Sequence, residues 1–367
     1  MRNKERIIHI ALRIATLLVL AVIIMMIYFF RTESKEEPVK VGAVLLGSAD
    51  DKGWNESHYK GIKYACEEHE CILIHKESIP EKEAPVKRAV RDLVEQGCSV
   101  IFLTSYGYSG YTKDIVDEYP DVAFYYLAGK SNRRNGTAYF ARMYQARYLA
   151  GIVAGASTES GILGYVASMP ISETVRSINA YAMGARKSNP NAKVYVVYTE
   201  SWEDKDREIA AVEKLAAAGA DVMTYHEDKP YALEKAEEMG LYSIGYDVIY
   251  DEYSEKMLTA ALFNWDLVYD DILNDHLSGR ASSNNDYWLG LSDGAVSLYP
   301  YSNLVSDKTR KLVEQEEERI QTWRDVFSGI IYDNKGNIRC NRMERIGDEE
   351  LFNEMDWYVE GIEIYDE

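Results

Sequence analysis

The sequence of 367 residues lacks the motifs that usually mark an enzyme. It contains no Gly-x-Gly-x-x-Gly after its first apolar run, no complete Gly-x-x-x-x-Gly-Lys-Ser/Thr phosphate loop and no His-Glu-x-x-His pair. Its six histidines show no paired spacing of the kind that metal sites use. We therefore expect a binding protein rather than an enzyme, with no catalytic residue, no cofactor and no bound metal.

Cysteine and positive charge are both scarce. Four cysteines are too few for a disulfide framework in a chain of this size. The segment Cys66-Glu-Glu-His69-Glu-Cys71 matches no standard zinc spacing, so it fits a helix end that leads into a buried strand better than a metal cluster. The 41 basic residues are outnumbered by 60 acidic ones, which gives a net charge of −19. Because such a surface repels phosphate backbones, nucleic acid is not an expected partner.

One long apolar run lies near the N-terminus. Ile14 to Phe30 is interrupted only by Thr16, and this length suffices for a helix across a bilayer. Basic residues precede the run and an acidic segment follows it, so the positive-inside rule places the N-terminus in the cytoplasm. A cleaved signal peptide is the alternative, but no small-x-small cleavage site follows Phe30, and the first cysteine is too distant for a lipoprotein. We expect an uncleaved single-pass anchor in the cell membrane, with the globular part outside the cytoplasm.

Beyond this segment, apolar runs alternate with helical patterns in two series, which begin near Lys40 and Ile162. The predicted strands include Ile162–Ala167 and Asp221–Tyr225, and the predicted helices include Met143–Ser157 and Ser172–Ser188. Strands that alternate with helices form βαβ units, and continuously apolar strands are covered on both faces of a sheet. We therefore predict an α/β fold with two doubly wound parallel-sheet lobes, joined by a hinge that the chain crosses several times. The predicted parts are the N-terminus, anchor and linker (1–37), the first lobe (38–158 with 264–290) and the second lobe (159–263 with 291–367).

Two tryptophans occupy matching places in the two series. Trp54 follows the apolar run Val41–Leu46, and Trp202 follows the run Val194–Tyr198, each in a polar loop just before a helical pattern. Open α/β sheets bind ligands at the carboxyl ends of their parallel strands. Either tryptophan could be a core residue, but two indoles on two lobes can also hold a planar ring between them. We predict a cleft that binds a small planar ligand.

Polar residues in loops of the same kind extend the predicted site. Asp50, Asp51 and Asn55 flank the first tryptophan, where any of them could cap the following helix. A carboxylate at this place could also accept hydrogen bonds from ring N–H groups or hydroxyls of a ligand, and the two roles are compatible. Tyr106 follows the third predicted strand, and Asp247 follows a strand of the second series. These five residues are therefore candidate ligand contacts.

Several motifs resemble the basic membrane protein family of substrate-binding proteins for ABC transporters, which is related to purine nucleoside receptors and to the regulator Med. The resemblance covers nearly everything from Lys40 to Ile362. The similar segments are Asp50–Asn55, Thr104–Tyr108, Ala146–Gly151, Gly164–Ala167, Ile178–Tyr181, Ser201–Trp202, Gly219–Val222, Gly290–Gly294 and Met355–Val359.

The resemblance implies a type I periplasmic-binding-protein fold that closes on a nucleobase or nucleoside and delivers it to permease subunits. Asp50 or Asp51 would contact the base together with Trp54, Trp202 would close its other face, and Asp247 would reach its polar substituents. Arg142 and Asp293 complete the predicted ligand contacts. Arg142 stands where the nucleoside-binding branch usually has an acid, and Phe263 lies near the position at which that branch usually has a lysine. These departures leave a free base, or another planar polar compound, as alternatives to a nucleoside.

A second function remains open. Some membrane-anchored relatives such as Med act in regulation, so a surface sensor without a transport role is the alternative. Genes for a permease and an ATPase next to this one would favour transport, whereas an isolated or competence-linked gene would favour regulation.

Overall fold

The computed structural model describes residues 9, 13–26, 37–128, 134–247, 254–281, 286–322 and 324–365. Residues 13–26 form a helix, α1, in a unit that extends to Val39, and a second compact unit begins at Lys40. Residues 27–30, which end the long apolar run, lie outside the described residues. Within the described ranges, no helix is both long and apolar enough to cross a bilayer. The membrane anchor therefore stays a prediction.

A six-stranded parallel sheet forms the centre of the first lobe. Its strands are β1 (Lys40–Val44), β2 (Ile72–Lys76), β3 (Val100–Leu103), β4 (Ala123–Leu127), β5 (Gly136–Ala141) and β11 (Tyr287–Leu289), in the spatial order β11-β5-β4-β3-β1-β2. Alternate residues of a strand point to opposite faces, and every residue of β3 and β5 is buried, so both faces are covered at these strands. The helices of this lobe pack in two pairs, α2 (Trp54–Glu68) with α9 (Trp265–Leu277), and α3 (Glu83–Glu95) with α4 (Tyr108–Glu118).

A seven-stranded sheet forms the centre of the second lobe. Its strands are β6 (Ile162–Ala167), β7 (Lys193–Tyr198), β8 (Val222–His226), β9 (Tyr242–Asp247), β10 (Met257–Phe263), β12 (Val296–Leu298) and β15 (Ile362–Ile364), in the order β12-β10-β9-β8-β6-β7-β15. Only the edge strand β12 is antiparallel to its neighbour in this sheet. The helices are α5 (Met143–Ser157), α6 (Ser172–Ser188), α7 (Lys205–Ala217), α8 (Tyr231–Glu238) and α10 (Asp307–Thr322), and a small antiparallel pair, β13 (Ile331–Tyr332) and β14 (Ile338–Cys340), follows α10.

Within the described residues, the chain passes between the lobes three times. The passages lie at Arg142 between β5 and α5, at Asn264 between β10 and α9, and at Gly290–Ala295 between β11 and β12. The Arg142 amide donates a 2.7 Å hydrogen bond to the carbonyl of Leu289, and the Asn264 amide donates a 2.9 Å bond to the carbonyl of Ala295. Because these bonds tie neighbouring passages together, the three segments form one hinge.

The predicted α/β fold with parallel sheets is confirmed, and one helix differs from the predicted grouping. The sequence placed α5 with the first lobe, but α5 packs against α6 and β10 of the second. The close approach of α5 and α6 depends on Gly184, where a Cβ atom would lie 1.9 Å from the carbonyl oxygen of Tyr148. Nearly every residue of α5 is therefore buried in the second lobe.

Candidate functional site

A cavity of about 270 Å³ lies between the lobes at the carboxyl ends of their strands. The first lobe contributes the loops after β1, β2, β3 and β4, and the second contributes the loops after β6, β7 and β8. We call this space the cleft cavity. Its lining residues are Leu46, Trp54, Glu81, Ser105, Tyr106, Leu127, Ala128, Phe140, Met169, Ile171, Glu173, Trp202, His226, Asp228 and Tyr246.

The first-lobe wall contains Trp54, the first residue of α2. Its indole Nε1 donates a 3.0 Å hydrogen bond to the carbonyl of Thr104 in the loop after β3. The ring also makes edge contacts with His58 at 4.4 Å and with Trp265 at 5.6 Å between centroids. These contacts fix the orientation of the indole before any ligand enters, which reduces the entropy that binding would otherwise lose.

The opposite wall contains Trp202, in the loop after β7. This side chain is 37% exposed, and its ring centroid lies 6.4 Å from that of His226. The Trp202 carbonyl accepts a 2.8 Å hydrogen bond from the amide of Asp228, which joins the loops after β7 and β8. Tyr106, 61% exposed, also lines the cavity. The structure thus brings Trp54, Tyr106 and Trp202 together, and their contact with a ligand stays a prediction.

The second-lobe floor is formed by His226 and Tyr246. The His226 ring is buried, with Nε2 3.1 Å from the Tyr246 hydroxyl and Nδ1 3.5 Å from the Tyr165 hydroxyl. Burial holds the pKa of His226 well below its usual value, and the cations of Arg147 and Arg176 lower it further. His226 is therefore a neutral imidazole that faces the cavity, with one nitrogen a donor and the other an acceptor.

Three carboxyl groups line the cavity, and one of them, Glu81, already accepts hydrogen bonds within the first lobe. Glu81 accepts hydrogen bonds from the Ser105 hydroxyl at 2.5 Å and the Gly107 amide at 2.6 Å, so it holds the loop after β3. Burial raises the pKa of Glu173, and the nearby guanidinium of Arg176 opposes this effect.

Asp228 is the third carboxyl group of the lining. Burial, together with repulsion from Asp247 and Asp51, raises the pKa of Asp228 to about 8. A carboxyl group with a raised pKa can accept a hydrogen bond when ionised and donate one when protonated. Asp228 and Glu173 are therefore suited to bind the polar edge of a ring.

The lobes also meet beside the cavity. Asp51 accepts hydrogen bonds from the amides of Gly53 at 2.9 Å and Glu56 at 3.0 Å, so it caps α2. Its carboxylate lies 3.5 Å from the ammonium of Lys229 in the other lobe. A Cβ atom on Gly53 would lie only 2.3 Å from the carbonyl oxygen of Asp228. The loop after β1 is therefore in direct contact with the loop after β8.

Asp50 and Asn55, the other candidate contacts beside Trp54, have local partners. Asp50 is exposed and accepts a 2.6 Å hydrogen bond from the Ser48 hydroxyl. Asn55 is buried, accepts a 2.9 Å bond from the Gly47 amide and donates a 2.8 Å bond to Asp51. Neither residue lines the cleft cavity, and the capping role that the sequence left open among the three belongs to Asp51.

Three further predicted contacts also lie outside the lining. The guanidinium of Arg142 binds Asp348 at 2.7 Å and lies 4.0 Å above the Trp288 ring. Asp293 is exposed and accepts a 2.8 Å hydrogen bond from the Gly290 amide. Asp247 is the last residue of β9, where burial, together with repulsion from Asp51, raises its pKa to about 7. The first two residues stabilise the hinge region, and the third lies near the contact between the lobes.

The sequence analysis did not identify Phe140, Glu173, His226 and Asp228. Phe140 lies in β5, a strand that was not predicted, and Glu173 lies in the first turn of α6. The predicted strand ended at Tyr225. His226, the last residue of β8, lies one position beyond that end, and Asp228 lies three positions beyond it. The strand-end rule, applied to β8 as it was to β1 and β7, would have found the last two.

Two doubly wound lobes, a hinge of three passages and a cavity at the strand ends define a hinged ligand-binding protein of the periplasmic-binding-protein type. The chain belongs to the family described as ABC transporter substrate-binding protein PnrA-like, whose model matches residues 38–326. This finding confirms the family that the motifs predicted.

Individual relatives differ in the ligands that their names state. A purine-binding protein of Brucella abortus (strain 2308) is 31% identical over 332 residues, which cover 89% of this chain and 94% of the relative. A putative ABC transporter glucose-binding protein of Haloferax volcanii is 30% identical over 333 residues, which cover 90% of this chain and 82% of the relative. In fold, the chain resembles a transcriptional activator of the comK gene from Bacillus halodurans, with a TM-score of 0.70, 23% identity and coverage of 77% of this chain and 98% of that chain.

Proposed function

We propose that this protein is the substrate-binding component of an ABC transporter and that its ligand is a planar purine compound held in the cleft cavity. The observation that carries the proposal is that Trp54 and Trp202, from different lobes, line the same cavity. Aromatic side chains bind flat rings by stacking and by edge contacts, and each such contact adds to the free energy of apolar burial. The purine-binding relative, at 31% identity, supports this class of ligand.

The polar groups of the cavity support a ligand that is neutral and rich in N–H donors. Glu173, Asp228 and the neutral His226 all line it, whereas no lysine or arginine is among its described lining residues. Carboxylates accept hydrogen bonds from N–H groups and repel phosphate. We therefore expect uncharged purines to bind and nucleotides to be excluded.

A sugar is the second candidate ligand, because the relative named as a glucose-binding protein is 30% identical. Carboxylates also accept hydrogen bonds from sugar hydroxyls. A sugar, however, offers no flat π-system to the two indoles, so we rank it below a purine.

A thermal-shift and calorimetric screen of the full chain in detergent tests the ligand class. The panel contains adenine, guanine, hypoxanthine, adenosine, AMP and glucose. A ligand that binds only the folded state stabilises it by about 2.7 kcal/mol at a concentration 100 times its Kd. We expect stabilisation by uncharged purine compounds of this panel and none by AMP or glucose. Stabilisation by glucose alone would overturn the purine proposal.

We also propose that the N-terminal apolar run anchors the protein in the cell membrane and that permease subunits are its partners. The hydrophobic length of the run and the basic residues before it support this placement. The protein should fractionate with membranes and retain its N-terminus. A soluble product that begins after Phe30 would contradict an uncleaved anchor. Purine uptake that is unchanged when the gene is deleted would favour the regulatory alternative over transport.

A further inference from the structure

We propose that Phe140 restricts the ligand to a free purine base, because its ring separates the cleft cavity from a second cavity in which a sugar would otherwise lie. This inference rests on the proposed function and narrows the ligand within the purine class.

The second cavity has a volume of about 200 Å³ and adjoins the hinge. We call it the hinge chamber. Phe140 and Ala128 line both this chamber and the cleft cavity, so the two spaces share a wall. The other residues that line the chamber are Ala138, Tyr139, Asp286, Tyr287, Trp288, Asp348, Glu349, Phe352 and Asn353.

The phenyl ring of Phe140 is held from both sides. It is 2% exposed, and its centroid lies 6.0 Å from the ring of Phe263 and 6.2 Å from the ring of Phe352. Phe263 in turn contacts Trp54 at 5.8 Å, on the side of the cleft cavity, whereas Phe352 lines the hinge chamber. The guanidinium of Arg176 lies 5.7 Å from the Phe140 ring. A ring packed in this way is a fixed wall, because a change of rotamer would disrupt all of these contacts.

The hinge chamber has the polar lining that a sugar needs. Asp286, Asp348, Glu349 and Asn353 place carboxylate and amide oxygens on this lining, and such oxygens can accept hydrogen bonds from hydroxyl groups. Some of these oxygens already have partners: Asp348 binds Arg142, and Asp286 accepts a 2.9 Å hydrogen bond from the Ala138 amide. The cleft cavity, by contrast, combines aromatic walls with the few polar groups that suit the edge of a base. A nucleoside would fit only if its sugar could pass from the first space into the second, and Phe140 lies at this boundary.

The test compares adenine with adenosine, and guanine with guanosine, by calorimetry on the full chain. Wild-type protein should bind each base at least about 100-fold more tightly than its nucleoside, since a closed wall rejects a larger group more strongly than it rejects one methylene. Phe140→Ala should join the two spaces and reduce this preference by about tenfold or more, with a gain in absolute nucleoside affinity. Phe327→Ala is the matched control, because Phe327 is 1% exposed and lines neither space.

Two results would overturn the inference: equal affinity of the wild-type protein for base and nucleoside, or an unchanged preference in Phe140→Ala. If Phe140→Ala does not fold, Phe140→Leu replaces it. A series of purines with a methyl, ethyl or propyl group on a ring nitrogen then also tests whether the wall is closed. Affinity for the wild-type protein should fall as the group grows, and a flat series would refute the closed wall. Absence of any purine binding would instead contradict the proposed function itself.

Discussion

The ammonium of Lys229 lies 3.5 Å from the carboxylate of Asp51, and this ion pair joins the second lobe to the first. The two side chains are only 13% and 12% exposed, and Lys229 also donates a hydrogen bond to the backbone carbonyl of Asp51. The carboxyl groups of Asp228, Asp247 and Asp51 repel one another. Lys229 therefore balances Asp51 and Asp228 where the lobes meet, whereas the cation that lowers the pKa of Asp247 is Arg147.

Lys229→Met should weaken ligand binding by about 5- to 10-fold, or roughly 1 kcal/mol. The ion pair forms between the lobes, so its loss favours their separation, and a ligand held by both lobes then binds less tightly. Calorimetric Kd values measure the effect. Lys235→Met is the control, because Lys235 pairs with Glu213 at 2.9 Å within the second lobe. Equal losses in the two variants would contradict a role for the Lys229 contact in closure.

Gly53→Ala should prevent the lobes from meeting as they do here, because the new methyl group would lie 2.3 Å from the Asp228 carbonyl oxygen. Ligand affinity should fall by about tenfold or more, while the melting temperature of the free protein changes little. Gly110→Ala serves as the matched control, since nothing lies within 4 Å of its added methyl group. Full affinity in Gly53→Ala would show that ligand binding does not need this contact.

Trp202→Ala should reduce purine affinity by about 1–3 kcal/mol, the usual loss when an aromatic side chain that stacks on a base is removed. The loss should appear as a smaller ligand-dependent thermal shift. Tyr332→Ala controls for the removal of an exposed ring, because Tyr332 is 45% exposed and lies outside the cleft cavity. An unchanged shift in Trp202→Ala would remove this indole from the ligand site.

The stability of the second lobe should fall as pH rises, because of Glu227. Burial raises the pKa of this carboxyl group to about 9, although a hydrogen bond from Thr199 opposes the shift. Its Oε2 atom is buried and has no hydrogen-bond partner among the described residues. The folded state therefore retains a proton that the unfolded state releases near pH 4.3, and the resulting stability is full below that pH and lost as pH rises through about 9.

Because the raised pKa values of Asp228 and Asp247 contribute in the same direction, only the part of this dependence that Glu227 causes should be lost in the Glu227→Gln variant. Its melting temperature should exceed that of the wild-type protein at pH 9.5 and match it near pH 4, as measured by calorimetry at constant ionic strength. Glu213→Gln, at a half-exposed surface position, is the control. A wild-type protein as stable at pH 9.5 as at pH 6, with no gain in Glu227→Gln, would show that this carboxyl group is ionised in the folded state.

The sequence predicted the central strands and the helices closely, because continuous apolar runs and helical periodicity are strong local signals. The bounds of β6, α5 and α6 match the prediction residue by residue. Strand β5 and the short strands β11, β12 and β15 were not predicted. Each of the short strands has three residues, and its position depends on pairing with distant parts of the chain, which local sequence does not record. The assignment of α5 to the second lobe also depends on packing against distant parts of the chain, namely α6 and β10.

The candidate site was partly predictable for a related reason. Loops at strand ends led to Trp54, Tyr106 and Trp202, all of which line the cleft cavity. The same rule also led to Asp51, whose local motif does not show that Lys229, 178 positions later in the chain, lies beside it. Phe140 could not be found in this way. It lines two cavities at once, and this position depends on how the hinge segments run in the folded chain.

A structure of the full chain determined with adenine tests the central claim most directly. The account predicts that the ring lies in the cleft cavity between Trp54 and Trp202, with its polar edge toward Asp228 and Glu173 and with the hinge chamber free of ligand. A ring bound elsewhere, with both indoles untouched, would contradict it.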